Sequence, residues 1–339
     1  MKDYITRKIK SKRKDKYNYE YFDKRDRKVD SSIVKNCIQG FYISPAYKDV
    51  KINLNKKDKV LAIGYDEKDR PQYVYNKKFT EKNNKTKFLK MIEFGESYKK
   101  IMNAVKRDIY SEGDTKEKQI AMALMLVVDC GIRIGSEKYR DENNSFGATT
   151  LEPRHIKVNG DMVSVDFIGK KGVKNTGKSR NKRLSRNLRQ KKKTLKKDEP
   201  IFQYRTGSKW YNLKSTDVNK YLKKFGNFSS KNFRTWVANL SFITELLKYD
   251  TPGTDTHGTD THGTDTHGTD TMKKTNISEA LKKTAQKLNN TPSVCKSNYI
   301  DPFLINLYLD DTKRFIGSFK HASSKDEISE NYIRLLRSK

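Results

Sequence analysis

Residues 118–130 (KQIAMALMLVVDC) are apolar on nearly every side. A helix of that composition has no face to offer to water, so other elements must enclose it. The segment therefore demands a domain large enough to surround it. Gly131 stands directly behind it, the residue that most readily ends a helix in a left-handed cap, and Arg133 follows. At 339 residues the chain is long enough for two unequal domains, each with its own core.

Residues 1–30 are dense in Lys, Arg, Asp and Tyr without a clear period, and read as a basic arm ordered on contact or a polar lead-in. Residues 31–86 read as a small β-rich domain. Its short runs FYISPAY, VKINL, KVLAIGYD and PQYVYNKKF are broken by Pro, Asp and Lys-Asp pairs. The polar stretch EKNNKTK at residues 81–87 then leads into helical periodicity from Phe88 to Ile109, which opens a larger domain over residues 87–339. Within it, HIKV and MVSVDFI flank Asn159, Gly160 and Asp161, a hairpin signal because Asn-Gly accepts the positive φ of a tight turn. Lys170 lies just past the second strand. The Lys- and Arg-rich residues 170–198 read as a duplex-facing loop in preference to a merely solvated face. The fold class is α+β.

Charge sets the partner. Lys plus Arg number 73 against 41 Asp plus Glu, a formal charge of +32, which calls for a polyanion. Duplex DNA fits best, since binding its regularly spaced phosphates releases counterions; a membrane surface is the weaker alternative. No apolar run reaches the length of a bilayer span and no hydrophobic stretch follows the basic N-terminus, so an intracellular, non-secreted protein is expected. Cys37, Cys130 and Cys295 are too few and too far apart for a disulfide framework or a zinc site, and read as buried apolar fillers. Residues 251–271 repeat a five-residue unit with nothing to bury, a low-complexity surface insertion that holds three of the five histidines, His257, His262 and His267. His321 and His155 remain, the latter read as a structural side chain in the strand HIKV. No metal site is expected.

Beyond the repeat, Ser278 can cap a helix through EALKKTAQKLN. Thr291 and Pro292 look like an N-cap followed by proline at the first helical position, so Tyr299 is expected on a helix that breaks before Pro302. The motifs GIRIGSEKY, FIGKKG, KNFRTWVANL and NNTPSVCKSNY, with AIGYD and RPQYVY upstream, stand in this order along the chain. In order and spacing the chain resembles the poxvirus-type DNA topoisomerases IB over most of its length, and the giant-virus members of that family are the most similar in pattern. The basic arm and the repeat lack a counterpart.

The resemblance implies a small β-rich domain and a mostly α-helical catalytic domain with a hairpin, closing on duplex DNA as a monomeric clamp without an obligatory protein partner. It implies relaxation of positive and negative supercoils by transient single-strand cleavage through a 3′-phosphotyrosine, duplex rotation and religation, with no ATP and no obligatory divalent metal. It also implies action in a virion or viral replication compartment.

The residues suit that chemistry. A phosphotyrosine keeps the energy of the broken phosphodiester, so resealing needs no nucleotide. The resemblance implies that Tyr299 is the nucleophile. Guanidiniums at Arg133 and Arg234 can clamp the charge that grows on non-bridging oxygens, and a lysine with a lowered pKa can protonate the leaving sugar oxygen, a role the resemblance assigns to Lys170. Where the family commonly has histidine this chain has Asn290, which can donate a hydrogen bond but cannot transfer a proton. The resemblance further assigns DNA contacts to Lys231, Lys138, Tyr139, Gln72, Tyr73 and Tyr75. Ser136 stands where the poxvirus enzymes have a base-contacting lysine, so a different cleavage-site preference is expected.

Two rival readings remain at this level. A tyrosine recombinase uses a similar residue set, but usually shows HxxR at the second arginine, where this chain has Lys231 three residues before Arg234. A non-catalytic packaging protein would explain the charge and leave the ordered motifs unexplained.

Overall fold

A computed structural model describes residues 1–13, 16–250 and 270–338. The chain divides into two compact units, Met1–Leu89 and Lys90–Lys339.

The first unit is built on a five-stranded antiparallel sheet of order β2-β1-β3-β4-β5. Its strands are β1 (Tyr4–Arg13), β2 (Lys16–Phe22), β3 (Lys48–Asn53), β4 (Val60–Tyr65) and β5 (Pro71–Tyr75), with helix α1 (Ser31–Ile38) between β2 and β3. Residues 1–30 are thus no separate arm. β1 pairs with β3 through Tyr4↔Asn53, Ile5↔Ile52 and Arg7↔Val50, and Ile5 joins Val34, Cys37, Val50, Ile52 and Ala62 in the core. The strand is stabilised by distant partners, so its own polar, aperiodic sequence gives little sign of it. The run FYISPAY, expected as a strand, is irregular. Arg7 donates to the carbonyls of Ser44 and Tyr47 (3.0 and 2.8 Å), while Phe41, Ile43 and Tyr47 pack against the core.

Helix α2 (Lys77–Asp108) begins well before Phe88, so the polar stretch at 81–87 is helical and the division between the units falls inside it. Asn76 starts the helix by accepting from the Lys78 amide (2.9 Å), and Lys and Glu have the propensity to continue it.

The second unit wraps α3 (Lys116–Cys130), whose residues Gln119–Val127 are all buried. Thr115 caps its start and Gly131, at φ +63°, its end. After the short α4 (Glu137–Asn143) comes a three-stranded antiparallel sheet of β6 (Ile156–Asn159), β7 (Met162–Ile168) and β8 (Lys174–Arg180), with β7 in the middle. Gly160 alone takes positive φ in the first hairpin turn, not Asn159. Helix α5 (Lys182–Thr194) and the hairpin β9 (Gln203–Thr206) and β10 (Lys209–Asn212) follow. The basic region 170–198 is therefore mostly strand and helix, not loop. In β8 the inward positions are Asn175, Gly177 and Ser179, none of them apolar, so alternation was invisible in the sequence.

Helices α6 (Ser215–Lys223), α7 (Ser230–Leu247), α8 (Asp270–Lys287), α9 (Pro292–Asn298), α10 (Pro302–Asp310), α11 (Thr312–Gly317) and α12 (Lys325–Arg337) complete the unit. Phe94, Phe233, Trp236 and Tyr332 form an aromatic core, with ring centroids 5.0 Å apart for Phe94 and Phe233 and 5.1 Å for Trp236 and Tyr332. Ser278 lies inside α8 and does not start it; the helix begins at Asp270. The three histidines of the repeat lie outside the described residues. Cys37, Cys130 and Cys295 are buried and unpaired, and burial pushes the Cys295 thiol up to about 11.

His155 belongs to a single 3-10 turn, Pro153–His155, and not to β6. Its Nδ1 accepts from the Glu152 amide (3.1 Å) and its ring lies 4.4 Å from that of Phe146. Burial, followed by the charge of Arg154, pushes its pKa from 6.5 down to about 4. Unfolding therefore takes up a proton between those values, so its contribution to stability is complete above pH 6.5 and is lost as pH falls toward about 4. The melting temperature of His155→Gln is expected to fall less steeply with acidification over that window than the wild type's; equal slopes would contradict this.

Candidate active site

Four structural segments of the second unit bring the expected residues together. Arg133 lies two residues beyond the Gly131 cap, in a loop held by the amides of Ala148 and Thr149, which donate to the carbonyls of Arg133 and Ile134 (2.8 and 2.7 Å). Gly131 permits a close approach as well as a cap: a Cβ there would stand 2.5 Å from the Lys287 carbonyl. The end of α3 consequently meets the end of α8. Arg133 Nη2 donates to Asn290 Oδ1 at 3.0 Å.

That bond orients the amide, because arginine can only donate and must face the oxygen. It leaves Asn290 Nδ2 buried with no protein acceptor among the described residues. A buried amide donor without an acceptor is costly in a folded protein and well suited to an anionic oxygen.

Arg234 comes from the first turns of α7 and is buried. Nη1 donates to the Gly131 carbonyl and Nη2 to the Leu288 carbonyl (3.0 Å), and the guanidinium carbon lies 5.2 Å from the centroid of the Tyr299 ring. Lys231, one turn earlier, is exposed.

Tyr299 departs from expectation. Thr291 caps α9 by accepting from the Val294 amide (3.3 Å) with Pro292 at the first position, but the helix ends at Asn298, and Tyr299 is its C-cap at φ −128° and ψ −34°. Its backbone is pinned by Asn239, a buried residue of α7. Asn239 Nδ2 donates to the Tyr299 carbonyl (2.9 Å) and Oδ1 accepts from the Asp301 amide (2.8 Å). Sequence reasoning missed Asn239. The available signal was an amide side chain inside the apolar run WVANL, five positions past Arg234.

Burial raises the Tyr299 phenol, yet the charges of Arg234, Arg133 and Lys231 outweigh it and hold the pKa below 10.0. Lys170 occupies the 3-10 turn Lys170–Gly172 between β7 and β8. Though exposed as a residue, it loses basicity through partial burial of its side chain, then through Arg133 and Lys171, and falls below 10.5. Lys170 and Tyr299 are thus both shifted toward neutrality, Lys170 first by burial and then by neighbouring cations, Tyr299 by the cations against its burial. The Lys170 turn is seated on α3 by β8. A Cβ on Gly177 would stand 2.4 Å from that of Cys130, and Ser179 Oγ donates to Asp129 (2.5 Å).

Of the expected DNA-contacting residues, Lys138 and Tyr139 are exposed on α4, Lys138 pairing with Glu142 at 3.8 Å. Ser136 precedes that helix as its N-cap. In the first unit, Tyr73 and Tyr75 are exposed on β5 and stack at 6.0 Å, a column that Phe79 extends. Gln72 is not brought to them. It points to the opposite face of the strand, where Nε2 donates to Asp66 (3.0 Å).

Residues 76–310 match the family described as eukaryotic DNA topoisomerase I, catalytic core. The chain belongs to that topoisomerase I family. Among curated relatives, this topoisomerase is 29% identical over 331 residues to DNA topoisomerase 1B of Acanthamoeba polyphaga mimivirus, covering 96% of this chain and 92% of the relative. It is 23% identical over 256 residues to DNA topoisomerase 1B of vaccinia virus, covering 74% and 73%. Similarity extends to DNA topoisomerase 1 of Mycosarcoma maydis, 27% over 212 residues, covering 56% of this chain and 21% of the relative. The activity of this topoisomerase is accordingly type IB. Among its described residues no helix is long and apolar enough to cross a membrane.

Proposed function

We propose that this type IB topoisomerase relaxes DNA through the hydroxyl of Tyr299, with Arg133, Arg234 and Asn290 holding the phosphate and Lys170 as the acid. The carrying observation is the convergence of the two arginines on Tyr299 and Asn290, with Lys170 within their field. The phenolic oxygen attacks phosphorus as its proton passes to water. The bond from phosphorus to the 5′ oxygen breaks, and Lys170 protonates that oxygen. The products are a 3′-phosphotyrosine and a 5′-hydroxyl, and religation is the reverse.

Arg133 supplies fixed positive charge, Asn290 Nδ2 a neutral donor, and Arg234 charge behind the tyrosine ring. These groups perform the electrostatic work a metal would do, so activity in chelator and without ATP is expected. One chain holds the whole set and a monomer suffices, with Lys231, Lys138, Tyr139, Tyr73 and Tyr75 on the DNA. Gln72 touches DNA only if it leaves Asp66. The viral relatives favour action in a virion or viral replication compartment.

The test is relaxation of positively and negatively supercoiled plasmid in EDTA without ATP. Relaxation of both signs is expected; failure on either would defeat the proposal. The acid is tested by pH. Lys170 serves only while protonated, so single-turnover cleavage should decline as pH rises through its lowered pKa, below 10.5. Replacing the 5′ bridging oxygen by sulfur, a good leaving atom without a proton, should remove that decline. The same substrate should restore Lys170→Ala, which on the ordinary phosphodiester is expected to lose about 10² to 10⁴-fold in rate. An alkaline decline that persists with sulfur would assign the acid elsewhere.

A further inference from the structure

The turn between α8 and α9 touches three separate parts of the site with three consecutive residues. The Leu288 carbonyl receives Arg234, and the Asn290 side chain receives Arg133. Asn289, between them, reaches the Lys170 hairpin: its Oδ1 accepts from the Thr176 amide (3.0 Å) and its Nδ2 donates to the Thr176 carbonyl (3.1 Å).

The backbone of the turn explains how Asn289 comes to point there. The Asn290 amide donates to the Ala285 carbonyl (2.9 Å) and the Asn289 amide to the Gln286 carbonyl (3.1 Å), the paired bonds of a Schellman ending. That ending requires a left-handed residue, and Asn289 has φ +51°. Glycine would satisfy the backbone at lower steric cost. Only a side-chain amide adds a donor and an acceptor spaced to pair with both groups of one strand residue. Thr176 offers both on the outer edge of β8, an edge strand whose other side pairs with β7.

We infer that Asn289 is a positioning residue that ties the Lys170 hairpin to the turn leading into Tyr299, so that acid and nucleophile keep one register. The inference rests on the reading of Lys170 as the acid. The link from Thr176 back to Lys170 is short and stiff. The Gly169 amide donates to the Val173 carbonyl (2.8 Å), and Asn175 Nδ2 donates to the same carbonyl (2.8 Å). The turn itself holds left-handed residues at Lys171 (φ +65°) and Gly172 (φ +74°), the points at which it would swing if β8 were released.

The experiment uses the full chain and a duplex carrying a cleavage site first mapped on plasmid DNA. Asn289→Gly keeps the left-handed backbone and removes the amide, so its melting curve and its noncovalent affinity for DNA should match the wild type's. Its single-turnover cleavage should slow by roughly 10-fold to 100-fold on the ordinary phosphodiester, the scale of loss when a reacting group is misplaced. With sulfur at the 5′ bridge it should recover to within about 3-fold of wild type, since that leaving atom needs no acid. Asn289→Asp, which keeps an acceptor and loses the donor to Thr176, should lie between. Wild-type cleavage of the ordinary substrate by Asn289→Gly, or equal slowing on both substrates, would overturn the inference. Lys170→Ala is run alongside. If sulfur restores it but not Asn289→Gly, the positioning role alone falls; if sulfur restores neither, the acid assignment fails and takes the inference with it.

Discussion

Tyr299→Phe is expected to bind duplex DNA as the wild type does and to fall by on the order of 10⁴-fold or more in both plasmid relaxation and covalent trapping under denaturing quench. The size of the effect follows from the absence of a substitute nucleophile. Burial pushes the nearby Cys295 thiol up to about 11, which leaves it protonated at neutral pH, and Arg133, Arg234, Lys170 and Asn290 are not nucleophiles there. Phenylalanine should fit the same space, because what fixes this position is the backbone: Asn239 holds the carbonyl of residue 299 and the amide of Asp301. The ring stays over Arg234, and the stability change should remain within about 1 kcal/mol. A variant that still becomes covalently attached to DNA would remove Tyr299 from the mechanism. One that fails to bind DNA would show that the hydroxyl contributes to binding.

Arg234→Ala is expected to lose about 10² to 10³-fold in cleavage rate, the usual cost of deleting one charge-stabilising donor. It should also lose stability, unlike Arg133→Ala. Arg234 is buried and its two Nη groups serve the carbonyls of Gly131 and Leu288. Its removal strands both carbonyls in the interior, at about 1 to 3 kcal/mol each. Arg133 is only half-buried, and among the described residues its side chain donates to Asn290. Denaturant melts and single-turnover cleavage of the two variants separate the roles. The expected pattern is a similar loss of rate for both and a lower midpoint for Arg234→Ala alone. Equal midpoints would mean that the two carbonyls find other donors and that Arg234 acts purely as a charge. Arg234→Lys should recover little of either property, because a point charge cannot span two carbonyls held by a planar fork.

Much of the catalytic unit was legible in the chain. An apolar segment with no wet face dictates an enclosed helix, and it is α3; the glycine behind it does take left-handed φ; Thr291 and Pro292 do start α9. These are short-range effects, in which a residue's own geometry or its solubility decides the outcome. The order of the motifs identified the family for the same reason, since chemistry-bearing residue types at characteristic spacings survive in one dimension. Other features depended on partners distant in sequence. β1 looks like a polar tail until β3 pairs with it, and β8 turns Asn175, Gly177 and Ser179 inward, so neither strand shows apolar alternation. Tyr299 was expected inside a helix, and the pull of Asn239 on the backbone beyond Asn298 makes it a cap. The neighbours Asn289 and Asn290 are the sharpest case: identical side chains, one position apart. The sequence by itself determined which residues could donate, accept, attack or carry charge. Only the tertiary structure decided that Asn290 meets Arg133 while Asn289 meets β8, because a left-handed turn rotates consecutive side chains to different neighbours and only the packed fold supplies those neighbours.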